Sequence, residues 1–430
     1  MYHALGSRPA AIQQDDDGNS HSDLQIVAEP TCRSNATERF YRVPPLSNSI
    51  RAVEKPAVTA PLAVAFYLPQ FHPVSENDEW WGPGFTEWRN VVTAPRLFRG
   101  HMQPHLPTDL GFYDLRVAET REAQAALATS YGIDAFCYFH YWFNGRRLLD
   151  RPFREVLQSG APRHGLMLCW ANENWTRRWD GGSNEVLIEQ TYTDADDVAH
   201  IRWLCDAFSD PRYVRIEGKP VFLVYSAHQI PDPKRTTEAW RSEAARLGVG
   251  ELLLCCVQSA VEPRTDPAKI GFDAAVEFWP DPSNFGPIVR GSFPSRVRRR
   301  LLDPTGPRRR TYVTDYKAIV ELASRKPSPD YPWFRCVTPG WDNTARRRSG
   351  GGLVWANSSP DHFRAWVYDV ALDAVATNKP LLFINAWNEW AEGNHMEPST
   401  NFEHGFLIAF DSALRLARGE NKELDWRNAP

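Results

Sequence analysis

No run of apolar residues in this chain approaches the eighteen or so that a membrane-spanning helix needs, and the amino terminus lacks a basic start followed by an apolar segment. The sequence therefore offers no anchor and no secretory leader. Cysteine is scarce and its seven copies, Cys32, Cys137, Cys169, Cys205, Cys255, Cys256 and Cys336, form an odd set without C-x-x-C or finger spacing. That argues against a disulfide framework or a zinc module, and the expectation is a reduced, cytoplasmic setting. Charge of one sign is also lacking. With 49 basic and 53 acidic side chains the net charge is -4, which leaves no global basic field and excludes nucleic acid as a general partner. There is no H-E-x-x-H, no clustered His/Asp spacing, no phosphate-cradling Gly-rich loop and no dinucleotide fingerprint, so neither a catalytic metal nor a cofactor is expected.

Tryptophan, by contrast, is abundant. Seventeen indoles in a chain that is 42% hydrophobic and 24% charged suit a large globular core, and their flat apolar faces with one polar tip also suit sugar rings.

Residues 1–60 are polar, acidic and Pro-containing without periodicity, and read as a flexible arm. From residue 61 onward eight apolar runs recur: "LAVAFYLPQ", "IDAFCYFHYWF", "GLMLCWANENW", "PVFLVYSA", "ELLLCCVQSA", "DAAVEFWP", "FRCVTPGWD" and "LLFINAWNEW". Segments whose apolar residues return at three- and four-residue steps lie between them, among them "DLRVAETREAQAALATSYG" and "DHFRAWVYDVALDAVATN". Continuous apolar strands alternating with amphipathic helices predict a parallel sheet covered by helices, and eight repeats predict an α/β fold of the (β/α)8 TIM-barrel type over 61–420, followed by a short tail at 421–430. The Pro- and Arg-rich stretch after the sixth run interrupts the pattern.

In such a barrel the chemistry belongs at the carboxyl ends of the strands. The run ends supply Tyr67 and His72, then Tyr138, His140 and Trp142, then Trp170, Asn172, Glu173, Asn174, Trp175, Trp179 and Asp180, then Glu277, then Trp341 and Asp342. The loop "SENDEWWGPGFTEW" adds Trp81 and Glu87 as a lid or wall. Each of these has packing or loop bracing as its alternative. The last run is the densest: "INAWNEWAEGNHMEP" places Glu389 and Glu392 three residues apart among Trp387, Asn388, Trp390, His395 and Glu397. Two carboxylates can divide the making or breaking of a glycosidic bond, one serving the bridging oxygen and the other the anomeric centre or its nucleophile. For that their environments must separate their acidities.

"NEWAEG" followed by "HMEP" resembles the terminal-strand motif of glycoside hydrolase family 99, and more closely that of the bacterial WbsX group attached to it. "FYLPQFHPVSENDEWWGPGFTEW" and "CWANENWTRRWDG" resemble two further hallmarks of that group. The resemblance implies a barrel fold and carbohydrate chemistry on an oligo- or polysaccharide. It assigns Glu389 as the base that deprotonates a substrate 2-hydroxyl and Glu392 as the general acid/base at the glycosidic oxygen. It also implies a place in bacterial polysaccharide, lipopolysaccharide or O-antigen metabolism. Two other readings stand beside this retaining-type glycosidase or transglycosidase. One is a glycosyltransferase using a nucleotide- or lipid-phosphate-linked sugar, with the Arg-rich segments 296–310 and "ARRRSGGG" on the phosphates of that donor. The other is a barrel that binds carbohydrate without turnover.

Overall fold

The computed structural model describes residues 61–177, 185–258, 264–281, 286, 311–347 and 352–420. The proposed arm, the tail, Trp179, Asp180 and the 296–310 segment lie outside them. The eight apolar runs form eight parallel strands: β1 (Leu62–Tyr67), β2 (Ala135–Phe143), β3 (Gly165–Trp170), β4 (Lys219–Val224), β5 (Leu253–Gln258), β6 (Ala274–Glu277), β7 (Trp333–Phe334 and Cys336–Val337) and β8 (Leu381–Ile384). The two pieces of β7, separated by Arg335, close the barrel. The first pairs with β6 and the second with β8, and Phe383 N–H donates to Arg335 O at 2.9 Å. β8 then pairs with β1 through Leu62↔Leu381 to Ala65↔Ile384, completing the (β/α)8 ring.

Helices α1 (Ala118–Ser130), α2 (Arg151–Ser159), α3 (Asp194–Phe208), α4 (Pro233–Arg246), α5 (Tyr316–Ser324), α6 (Pro360–Ala376) and α7 (Gly405–Ala417) cover the ring, and a short 3-10 turn, Pro267–Ile270, stands between β5 and β6. Several start on side-chain caps. Thr193, Asp232, Asp315 and Ser359 each accept a hydrogen bond from a first-turn N–H, satisfying a donor that the helix leaves open. Gly165 begins β3 because a Cβ there would meet Asp134 O at 2.6 Å.

Strand parity decides what faces where. The rings of Phe66, Phe139, Phe278 and Phe383 meet inside the barrel, with Phe66 5.6 Å from Phe139, 5.2 Å from Phe278 and 5.6 Å from Phe383. Register places Cys137, Cys169, Cys255 and Cys336 on this same inner face, and all are buried. The opposite parity, Tyr67, Tyr138, His140, Trp142 and Trp170, fills the layer between sheet and helices.

Candidate active site

The chain leaving β8 folds into a tight hairpin. Asn388–Glu389 pairs antiparallel with Asn394–His395 around the 3-10 turn Trp390–Glu392, and Gly393 closes it at φ 58°. A Cβ on Gly393 would meet Asp342 Cβ at 2.8 Å, so only glycine permits this turn to lie so close to the loop after β7. That loop grips the turn directly, with Asp342 N–H donating to Glu392 O at 2.6 Å. Asn388 fastens the start of the hairpin to the end of β1, accepting from Leu68 N at 2.7 Å and donating to Leu68 O at 3.0 Å.

This hairpin brings Glu389 and Glu392 onto one guanidinium. Arg346 Nη2 lies 2.8 Å from Glu389 Oε2, and Nη1 lies 2.7 Å from Glu392 Oε1. A third carboxylate, Glu87, meets the same group at 2.9 Å from Nε and 2.8 Å from Nη2. The side chains of Glu87, Glu389 and Glu392 are 0%, 8% and 21% exposed, so Glu392 is the member most open to solvent.

Burial pushes Glu389 up to about 8. Arg346 opposes that rise, and the negative charges of Glu392 and Glu87 add to it. Glu392 is raised as well, first by burial, with Glu87 adding and Arg346 opposing. Three carboxylates around one cation cannot all ionise cheaply, so the group retains a proton at neutral pH. Tyr141, inward-facing on β2, is raised by burial and by the charges of Glu389 and Glu87, which puts its phenol beside the cluster. Tyr225, just past β4, is raised by burial and by Glu173, Glu392 and Glu389. Glu173 therefore shares the mouth with the pair. It accepts from Ser226 Oγ at 3.1 Å.

The other residues singled out from the sequence serve different places. Trp175 packs at a tilt against Tyr141 (5.1 Å) and Trp80 (5.7 Å), forming one aromatic flank beside the cluster. Trp81 lies under the Arg177 guanidinium at 5.3 Å. Asn172 is fully buried and bridges to Ser226 N and O, while Asn174 accepts from Gln190 N. Trp390 stacks on His395 at 3.8 Å and donates to Glu397 at 2.6 Å. Glu397 also accepts from Tyr113 and Gln124 and is pushed up to about 7 by burial, so it is enclosed behind the hairpin. Trp387 packs on Phe136 in the outer layer.

Tyr67 donates to Gln124 on α1, and Tyr138 meets Phe153 on α2. His140 stacks on Trp203 of α3 at 4.6 Å, Trp142 donates to Asp196, and Trp170 packs by His200 and Trp240. All five thus face the helices. His72 is buried and pushed down to about 4, chiefly by burial, which the charge of Asp114 opposes most. Glu277 points outward too, where Lys326 and Arg335 pair with it at 2.8 Å each. Asp342 accepts from His101 at 2.7 Å and from Thr344, and Trp341 is buried nearby. A crevice between His101, His105, Trp341 and Trp355 lies across Gly393 from the acids and contains neither. Among the described residues no cluster of metal-ligating side chains is present and no helix is long and apolar enough to cross a membrane.

Sequence reasoning did not single out Arg346, Tyr141 or Tyr225. Arg346 opens the "ARRR" run, which reads as solvated or phosphate-facing, and only tertiary structure turns its first member inward. The tyrosines were open to a parity argument, since Tyr141 shares the face of Phe139 and not that of His140.

A parallel eight-stranded barrel with acids gathered at the carboxyl ends of its strands is the (β/α)8 frame, whose ligand and catalytic sites sit at that face. The chain belongs to the family described as Glycosyltransferase WbsX, whose model matches residues 63–410. It is 42% identical over 398 residues to the uncharacterized protein WxcX of Xanthomonas campestris pv. campestris strain ATCC 33913, covering 91% of this chain and 54% of that protein. The same protein of strain B100 is also 42% identical, over 401 residues. The chain thus spans about half the length of the curated relatives it matches. Among solved structures, it is similar in fold to the GH99 endo-alpha-mannosidase from Bacteroides thetaiotaomicron in complex with BIS-TRIS-Propane, with a TM-score of 0.51 and 14% identity, covering 83% of this chain and 97% of that one. A glycoside hydrolase-like protein matches with the same score and identity, covering 84% and 95%.

Proposed function

We propose that this chain is a retaining-type glycosidase or transglycosidase acting on a bacterial surface polysaccharide or its precursor. The observation that carries the reading is the convergence of Glu389 and Glu392 on the two terminal nitrogens of Arg346 at the mouth of the barrel. One proton shared between two such carboxylates is what the chemistry requires. The proton belongs to the pair, and in the reactive arrangement it sits on Glu392 while Glu389, ionised, takes the proton of a sugar 2-hydroxyl. The 2-oxygen attacks the anomeric carbon as the glycosidic C–O bond breaks, and Glu392 gives its proton to the departing oxygen. The products are a 1,2-anhydro sugar and a free hydroxyl. Water or an acceptor hydroxyl then opens the ring, losing its proton to Glu392, while Glu389 returns its proton to the 2-oxygen. A raised pKa helps both ways: it makes the ionised carboxylate a stronger base and keeps the acid protonated near neutrality. Trp175, Tyr141 and Tyr225 supply the flanking surfaces on which a sugar rests.

The test is turnover of oligosaccharides from bacterial polysaccharides, read by mass spectrometry. Glu389→Gln and Glu392→Gln each lower the rate by roughly 100-fold or more, and activity falls at alkaline pH as the pair, both members raised by burial, loses its last proton. Wild-type rates in both variants would defeat the assignment. The family's description supports a second reading, a transferase using a nucleotide- or lipid-phosphate sugar. Product that appears only when such a donor is added would favour it. Glycan binding without product from any sugar would favour the non-catalytic barrel.

A further inference from the structure

Arg346 carries three carboxylates, and one of them faces away from the mouth. Glu87 stands one residue ahead of the short helix Trp88–Val92 in the excursion after β1, and its side chain is fully buried. Its Oε2 accepts from Arg346 Nε and Nη2, and its Oε1 accepts from Asn90 Nδ2 at 3.1 Å. Both oxygens are thus engaged, and neither is at a surface where a sugar could reach it. Neutralising Arg346 does not require Glu87, because Glu389 and Glu392 already sit on the same cation. Burying a further carboxylate there costs desolvation, and the geometry gives that cost a return: the contact from Nε and Nη2 fixes the guanidinium plane from behind.

We propose that Glu87 and Arg346 form a positioning pair, in which Glu87 clamps the guanidinium so that Nη2 and Nη1 hold Glu389 and Glu392 side by side at the mouth. Glu87 then acts on the reaction without touching substrate. Its charge has a second effect. It offsets part of the positive field of Arg346, so that the two mouth carboxylates keep a proton that an unclamped arginine would drive off. Among the described residues, the charged and titratable groups around the pair are Arg346 and Arg347, Glu87, Tyr141 on β2, and Tyr225 and Glu173 on the far side of the mouth. Among the described residues, Arg346 and Glu87 are the two of these that contact each other behind the pair. Substituting them therefore perturbs the proton in opposite directions. The consequence for turnover rests on the functional reading above, but the clamp itself does not.

The experiment is carboxyl titration by NMR on the full chain labelled with side-chain 13C glutamate, with Glu389 and Glu392 assigned through their Gln variants. Glu87→Gln is expected to lower the titration of the pair by roughly one pH unit or more, and Arg346→Gln to raise it by a similar amount, as befits removing opposite charges at this range. Arg346→Lys keeps the charge without the fork, and should leave the pair's mean titration near that of the wild type while spreading the two carboxyl signals apart. Shifts of the same sign in Glu87→Gln and Arg346→Gln, or no movement in either, would overturn the proposal. Should Glu87→Gln fail to fold, Glu87→Asp and Arg346→Gln decide the case, the aspartate being expected to restore the wild-type titration. Because the titration measures no turnover, opposite shifts leave the clamp standing even where the turnover test above sinks the functional reading.

Discussion

At the scale of single residues, Glu389 has a consequence for stability whose sign can be worked out. Its folded-state value, about 8, lies above the ordinary carboxylate value of 4.5, so between those limits the folded protein holds a proton that the unfolded chain has released. Stability attributable to this group is therefore greatest below about pH 4.5 and declines as pH rises towards 8. Buried neutral histidines act oppositely. His140, His164 and His395, pushed down to about 3 chiefly by burial, cost stability progressively as pH falls below 6.5. The two effects separate in a difference measurement. Relative to the wild type, Glu389→Gln should gain stability steadily from pH 5 to pH 8, by about 1 kcal/mol or more across that range, in urea unfolding at each pH. A wild-type-to-variant difference that stays constant over the window would contradict the buried, proton-holding state of Glu389.

At the scale of elements, the site depends on a hairpin that no barrel strand includes. Asn388 ties it to the end of β1 through both backbone groups of Leu68, and these have no water to turn to. Asn388→Ala leaves a buried N–H and a buried C=O unpaired, which should cost about 2 to 4 kcal/mol in chemical unfolding. A loss below about 0.5 kcal/mol would mean that the hairpin is held elsewhere. This element also marks how far the sequence could be read. The eight runs, their parallel sense and the placing of Glu389 and Glu392 at the last strand end were legible because continuous apolar strands and amphipathic helices carry distinct periods. Facing was not legible in the same way. In "AFCYFHYWF" both parities are apolar and mostly buried, one in the barrel and one under the helices, so the sequence lacks the polar alternation that would mark the inner face and His140 reads as equivalent to Tyr141. Arg346 lay deeper still, because its inward turn depends on three carboxylates from two distant segments.

At the scale of the whole molecule, the thiols acquire a structural account. Cys137, Cys169, Cys255 and Cys336 lie at inward positions of β2, β3, β5 and β7, between the phenylalanines that fill the barrel, where small polarisable side chains complete a packed interior. That packing accounts for them in any compartment, so their number says little about where the protein resides. Burial raises the thiols of Cys137, Cys255 and Cys336 well above their usual range and pushes Cys205 up to about 11, which leaves hardly any thiolate to react. A Cys32→Ser protein retains six cysteines, all buried in the structure. In native buffer at pH 8, a disulfide-exchange reagent should modify none of them on the timescale at which all six react in denaturant. Labelling should instead follow global unfolding and accelerate with urea. Rapid native modification of any of the four inner thiols would mean that the barrel admits solvent along its axis. The phenylalanine-filled interior would then not be the closed floor on which the acid cluster stands.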